Sequence, residues 1–268
     1  MSTTASTPNR VLVTGAGRGI GRAIAQAFAE RGDAVVVNDL DPQSCADTAA
    51  EIGAFALPGD AATDVGVERL IASAREHLGG IDIFVANAGI EGGAGLNSPE
   101  SDWSRALEVN VMAHVRAARL LVPEWLERGQ GRFITVASAA GLLTMIGSAP
   151  YSVTKHAAVA FAEWLSATYR HRGITVQAVC PQGVRTAMYE GAGPLKPMLK
   201  HDGLLEPEDV AASLMAALDD DRFLILPHDT VAGYYQARAA DTDSWLDQMN
   251  RLQQWLESFR NFHATSIV

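Results

Sequence analysis

Short apolar runs alternate with longer amphipathic stretches along most of the chain, and that rhythm predicts strands separated by helices. The strand-like runs are Val11-Leu12-Val13, Ala34-Val35-Val36-Val37-Asn38, Phe55-Ala56-Leu57-Pro58-Gly59, Ile81-Asp82-Ile83-Phe84-Val85, Gly131-Arg132-Phe133-Ile134-Thr135-Val136 and Ile174-Thr175-Val176-Gln177-Ala178-Val179-Cys180. Phe223-Leu224-Ile225-Leu226 forms a last one. Between them, apolar residues recur at three- and four-residue steps, as in residues 63–78 with Val67, Leu70, Ile71 and Ala74. Residues 103–126 predict one long helix and 206–218 a shorter one, and Pro150 opens another that continues through Ala157, Ala158, Phe161, Leu165 and Tyr169. Strand and helix in alternation predict an α/β fold, a doubly wound parallel sheet with helices on both faces and right-handed crossovers.

Two stretches depart from this rhythm. Met188, Tyr189, Leu195, Met198 and Leu199 stand in a segment broken by glycine and proline, which reads as mobile. Beyond Pro227, Asp241-Thr242-Asp243 reads as a helix start, and Trp245, Met249, Leu252, Leu256 and Phe259 then recur on one face. That stripe must be covered by its own domain, by the rim of a site, or by a neighbouring subunit. No repeat, low-complexity tract or linker divides the chain, so a single domain over residues 1–268 is expected. Residues 1–9 read as a frayed polar tail and 228–268 as a C-terminal extension.

Composition narrows the function classes. With 268 residues and 48% hydrophobic content, the chain can bury a sizeable core. A formal charge of -10 argues against a nucleic-acid partner, which calls for a basic patch. No run approaches the roughly 18 apolar residues of a spanning helix, so no membrane association is expected. Cys45 and Cys180 lie far apart, in no disulfide framework or zinc spacing, which fits a reducing cytoplasm and no metal site.

Candidate chemistry begins at Tyr151-Ser152-Val153-Thr154-Lys155. One helical turn puts the phenol and the ammonium on the same face, where the cation favours the phenolate and makes Tyr151 an acid/base; the plain alternative is a solvated helix face. Thr14-Gly15-Ala16-Gly17-Arg18-Gly19-Ile20-Gly21 joins the first strand to a helix, and such a turn lets backbone N–H groups approach a pyrophosphate. Asp39, about twenty residues on, can accept hydrogen bonds from an adenosine ribose and repel a 2′-phosphate, or it can cap the helix that Asp41-Pro42 could also cap. Arg18 is a counter-signal, because a basic residue there can pair with a 2′-phosphate. Asp60 precedes the next helix and could cap it, Ser138 could cap the turn after its strand, and Asn110 in mid-helix needs partners unless it faces solvent.

Taken together in order, T-G-x-x-x-G-x-G, Asn87-Ala88-Gly89, Asn110, Ser138 thirteen residues before Tyr151, and Lys155 four after it resemble the short-chain dehydrogenase/reductase family. The resemblance covers about residues 11–226 and implies a Rossmann-like domain in a homo-oligomer, a dimer or a tetramer. It also implies an oxidoreductase in which Tyr151 is the acid/base, Ser138 fixes the substrate oxygen, Lys155 lowers the tyrosine pKa and holds the nicotinamide ribose, and Asn110 distorts its helix and supports a proton path. Cofactor contacts are implied at Gly15, Arg18, Gly19, Ile20, Gly21, Asp39, Leu40, Asp60, Ala61, Asn87, Ala88, Gly89, Tyr151, Lys155, Pro181, Val184 and Thr186. Asn87 would steady the central sheet and Gly89 would let the backbone lie against the adenosine side. Cys180 and Gln182 depart from the family's N-P-G-x-V-x-T. The expected cofactor is NAD and the expected substrate a hydrophobic secondary alcohol or its ketone, because Leu142, Leu143, Met145 and Ile146 flank the site. An NADPH-dependent oxoacyl or ketone reductase is the alternative, and a nucleotide-binding protein without turnover a more distant one.

Overall fold

The computed structural model describes residues 8–93 and 95–258. In chain order they form β1 (Arg10–Val13), α1 (Gly19–Glu30), β2 (Ala34–Val37), α2 (Pro42–Ile52), β3 (Phe55–Ala56), α3 (Asp64–Leu78) and β4 (Ile83–Ala86). There follow α4 (Glu100–Leu107), a π-helical turn (Glu108–Met112), α5 (Ala113–Arg128), β5 (Gly131–Val136), α6 (Ala149–Tyr169) and β6 (Ile174–Val179). The chain continues through α7 (Ala187–Gly191), α8 (Lys196–Leu199), α9 (Pro207–Ala217), β7 (Leu224–Ile225), α10 (Thr230–Ala240) and α11 (Thr242–Glu257).

All seven strands are parallel, in the order β3-β2-β1-β4-β5-β6-β7. Consecutive residues of one strand feed opposite faces. Leu12 thus joins the core under α3, α5 and α6, while Val11 and Val13 join the core under α1, α2 and α9. The strand order reverses between β1 and β4, and the crevice at that point lies outside the carboxyl ends of the strands, where open α/β sheets bind ligands. No helix among the described residues is long and apolar enough to cross a membrane.

Four expectations need correction. The third strand is paired only over Phe55–Ala56; Pro58 has no N–H to donate to the ladder, although Leu57 N–H still reaches Val37 O. The last strand is likewise only Leu224–Ile225. The single helix of 103–126 starts earlier, at Glu100, and is interrupted by the π turn. Residues 187–203, broken by glycine and proline, hold short helices that the sequence does not announce: Thr186 caps α7, Pro194 and Pro197 start the next turns, and Leu195 and Met198 pack against Ile146 and Leu256.

The extension holds two helices where the sequence announces one. α10 lacks a side-chain cap at Asp229 and carries little apolar stripe, so nothing marks its start, whereas Asp241 caps α11 by accepting from Ser244 N–H. Val231, Trp245 and Leu256 are buried. The stripe is therefore shared between its own domain, which buries Trp245 and Leu256, and the rim of a cavity, onto which Met249 and Leu252 open; Phe259 of that stripe and residues 1–7 of the expected tail lie outside the described residues. Arg238 of α10 donates to Leu142 O and contacts His156 Nε2 at 3.1 Å, which ties the extension to the loop before α6.

Candidate active site

The glycine turn is locked to the end of β4. Asn87 Nδ2 donates to Thr14 O and Gly15 O, both at 2.9 Å, while Asn87 and Ala88 N–H groups donate to Thr14 Oγ1. The turn has room for backbone and nothing else: Gly15 has φ +61 and a Cβ there would meet Ala88 Cα at 2.8 Å, and a Cβ on Gly21 would lie 2.3 Å from both Gly15 O and Asn87 Nδ2. We expect Gly21→Ala to cost about 1–3 kcal/mol, read as a lower denaturant midpoint at unchanged slope. A midpoint equal to wild type would show that the turn is not held this tightly.

Asp39 is not a helix cap. Its Oδ2 accepts from Gly17 N–H at 2.9 Å and its Oδ1 from Asp41 N–H, leaving Asp41 to cap α2 by accepting from Gln43 N–H. Arg18 and Leu40 are exposed on either side of this carboxylate. Asp60 accepts from Ala62 N–H, and Thr63 caps α3 in its place; Ala61 packs on the core at the sheet's outer end.

Asn110 is fully buried in the π turn, not solvent-facing. Its amide bonds both ways with the Ile90 backbone at 2.9 Å and donates to Thr154 Oγ1 at 3.0 Å. The helix distortion thus hands a side-chain amide to the segment after β4. Gly89 faces this amide and not an adenosine side alone: a Cβ there would stand 3.3 Å from Asn110 Oδ1 and 3.4 Å from Lys155 Nζ.

Tyr151 and Lys155 share the buried face of α6, with the ammonium 5.6 Å from the ring centroid. Lys155 Nζ donates to Val136 O at 3.1 Å. Burial pushes the Lys155 ammonium down to about 8. Burial also pushes the Tyr151 phenol up to about 12, against which the hydrogen bond with Ser138 acts. The expected lowering of the phenol by Lys155 is therefore not the ruling effect; burial is, and Lys155 is not among the groups that shift the phenol. Ser138 does cap the turn that follows, accepting from Ala140 N–H, while its hydroxyl donates to Pro181 O at 3.5 Å and lines the same cavity as the phenol.

The loop after β6 closes the crevice. Val184 bridges Leu205, and Thr186 stands over the glycine turn, its Cγ2 3.3 Å from where a Gly19 Cβ would be. Gln182, in place of the family's glycine, gives its amide to Asp202 Oδ2 at 3.2 Å, and Tyr234 of α10 gives its hydroxyl to Asp202 Oδ1 at 3.0 Å. That departure stitches the loop to the extension. Its neighbour Cys180 is buried at the strand end and makes no metal cluster with other described residues.

Ile20, Ser138, Tyr151, Pro181, Val184 and Thr186 open onto one cavity of about 890 Å³. Gly15, Gly19, Gly21, Asp39 and Asn87 stand at the neighbouring strand ends, and Asp60 and Ala61 lie farther along the sheet. The cavity's other walls are Leu143 and Met145 before α6, Met188 and Met198 in the 187–203 segment, and Trp245 and Met249 of α11. Sequence reasoning missed Glu91 and Asp202, which also line it; an isolated acidic residue in a loop carries no periodic signal.

A parallel sheet with a glycine-lined turn at its switch point and a buried Tyr-Lys pair at the strand ends defines a dinucleotide-binding type of α/β protein. The sequence pattern described as short chain dehydrogenase matches residues 9–194. The chain belongs to that family of oxidoreductases. It is 37% identical over 223 residues to the 1-deoxy-11-beta-hydroxypentalenate dehydrogenase of Streptomyces exfoliatus, covering 80% of this chain and 81% of that one. Among solved structures, a short chain dehydrogenase/reductase from Burkholderia phymatum in complex with NAD superposes with a TM-score of 0.82 at 27% identity, covering 90% of this chain and 96% of the other. A 7 alpha-hydroxysteroid dehydrogenase complexed with NADH and 7-oxo glycochenodeoxycholic acid gives 0.75 at 26%, covering 81% and 92%.

Proposed function

We propose that this protein is an NAD-dependent dehydrogenase of hydrophobic secondary alcohols, or a reductase of the matching ketones. The observation that carries the reading is Tyr151 and Ser138 together on the wall of one apolar cavity, with Lys155 buried one turn behind. The glycine cradle fits a pyrophosphate, since Gly15, Gly19 and Gly21 leave space that side chains would fill, and Asp39 is held at the β2 end to accept ribose hydroxyls. The nicotinamide cofactor supplies the two-electron acceptor or donor, and the protein positions it.

Within this reading Tyr151 takes the alcohol proton in oxidation and returns it in reduction, while Ser138 donates to the substrate oxygen and holds it at the phenol. Lys155 binds the nicotinamide ribose and, when charged, favours the phenolate. Asn110 keeps the segment after β4 and the lysine in register through its bonds to Ile90 and Thr154. Backbone groups of Asn87, Ala88, Gly89, Pro181 and Val184, with Thr186, Ile20, Leu40, Asp60 and Ala61, complete the cofactor contacts. Support for NAD comes from the two solved relatives described as complexes with NAD and NADH, and support for a bulky apolar substrate from relatives named for a hydroxypentalenate and a hydroxysteroid. The same reading holds the protein to be a cytoplasmic homo-oligomer, dimer or tetramer; exposed Leu107, Val153 and Trp164 on α4 and α6 support self-association, which light scattering tests.

Asp39→Ala tests the cofactor assignment. Removing the carboxylate should lower the preference for NAD over NADP at least about tenfold in kcat/KM, because it removes both a ribose acceptor and a charge opposed to the 2′-phosphate. A wild type that prefers NADP would overturn the assignment and promote the exposed Arg18 to phosphate partner.

A further inference from the structure

We propose that the cavity holds a polar subsite, built by Asp202 with Gln182 and Tyr234, and that it takes a hydroxyl group carried by the substrate away from the reacting carbon. This rests on the dehydrogenase reading above and deepens it, from an apolar alcohol or ketone to an apolar skeleton with a second, non-reacting hydroxyl. Three separate segments meet here: Gln182 follows β6, Asp202 precedes α9 and Tyr234 belongs to α10. All three side chains line the same cavity as Tyr151 and Ser138.

The Asp202 carboxylate is fixed by the protein itself. Gln182 Nε2 donates to its Oδ2 at 3.2 Å and the Tyr234 hydroxyl donates to its Oδ1 at 3.0 Å, so each oxygen has one donor and keeps a lone pair for another. Gln182 is held in turn, its backbone N–H donating to His228 Nδ1 at 3.2 Å just beyond β7. Burial and the neighbouring carboxylate hold the Tyr234 phenol above its ordinary value, which keeps its proton on the bond to Asp202. Gln182 Nε2 carries a second N–H, so a ligand hydroxyl can donate to Asp202 and accept from Gln182 at once, a pairing that an ether, a carbonyl or a halogen cannot make. Sheet order places this subsite relative to the acid/base. Ala139 N–H donates to Pro181 O at 2.8 Å, which sets Ser138 beside the end of β6, and Gln182 and His228 carry the cluster on towards β7. Neighbouring strands are about 4.8 Å apart, so the subsite stands roughly 5–10 Å from Ser138 along the crevice. A fused bicyclic ketone with a hydroxyl on its far ring spans that distance.

The test uses the full chain loaded with NADH and a matched pair of probes, 6-hydroxy-2-decalone and 6-fluoro-2-decalone, in which fluorine nearly matches the hydroxyl in size but brings no donor. Binding is followed by the change in nicotinamide fluorescence and turnover by its loss. Against an apolar wall with no partner, the hydroxyl would lose its water and bind worse than the fluorine, so the sign of the difference is diagnostic. Wild type should bind the hydroxy ketone at least about tenfold more tightly, as a hydrogen bond to a charged acceptor gives. Asp202→Asn should bring that ratio to about threefold or less, with melting temperature as a check on folding. A merely structural role for Asp202 would weaken both ketones alike in the variant and leave the ratio where it was. Equal or weaker binding of the hydroxy ketone by wild type, an unmoved ratio in Asp202→Asn, or failure of both ketones to bind would each overturn the proposal. The expected ratios without turnover of either ketone would uphold the subsite while overturning the dehydrogenase reading, and turnover of both with equal binding would do the reverse.

Discussion

Tyr151→Phe should lower kcat/KM for alcohol oxidation by at least about a thousandfold while leaving the NAD dissociation constant within about twofold of wild type. The ring sits on the buried face of α6 and keeps its packing in phenylalanine, so the change removes the oxygen proposed to carry the proton and nothing else. Acid/base groups of this kind contribute about 100- to 10,000-fold, and no other described side chain on the wall stands in the same relation to both Ser138 and Lys155. The pH profile gives an independent check. Oxidation by the proposed route needs the phenolate, and burial holds the phenol up, to about 12, so wild-type oxidation should climb with pH through the neutral range; reduction needs the phenol and should not. Retention of more than about a tenth of the wild-type rate, or an unchanged pH slope in the variant, would contradict the role of Tyr151.

Lys155→Met should damage both parts of the reaction, raising the NAD dissociation constant at least about tenfold and lowering kcat by at least about a hundredfold. Methionine fills the buried channel but cannot donate to Val136 O or to a ribose. The sign of the pH effect follows from burial. Because the ammonium is pushed down to about 8, its charge is present below that pH and is lost as pH rises through it. NAD affinity of wild type should therefore weaken as pH rises through about 8, and the variant should lack that step. Unchanged affinity in the variant at pH 7 would separate Lys155 from cofactor binding.

Much of this was legible in the chain because the strands are buried on both faces and so read as unbroken apolar runs, and because the turn glycines and the Tyr-Lys pair are local in sequence. A local distortion at Asn110 is what the family resemblance implies; helical periodicity alone reads straight across 103–126, and its form as a π turn is seen only in the structure. α10 was hidden for the opposite reason, as it has neither a capping side chain nor a strong stripe. The direction of the Tyr151 shift was also beyond the sequence. Spacing says that a cation is near, whereas the balance between its field and the loss of water depends on how much protein covers both groups. Gln182 looked like a blemish in a motif until Asp202 and Tyr234, 20 and 52 residues further on, turned out to hold it.

The placement of α11 separates two kinds of inheritance within one chain. The residues proposed to move the proton sit just after β5, on α6 and in the π turn, against the middle of the sheet. Trp245, Gln248, Met249, Leu252 and Trp255 line the same cavity from a single 16-residue helix. Point changes in that helix can reshape what fits without touching the residues proposed to carry the proton, so a lineage carrying this fold can acquire a new substrate by editing α11 alone.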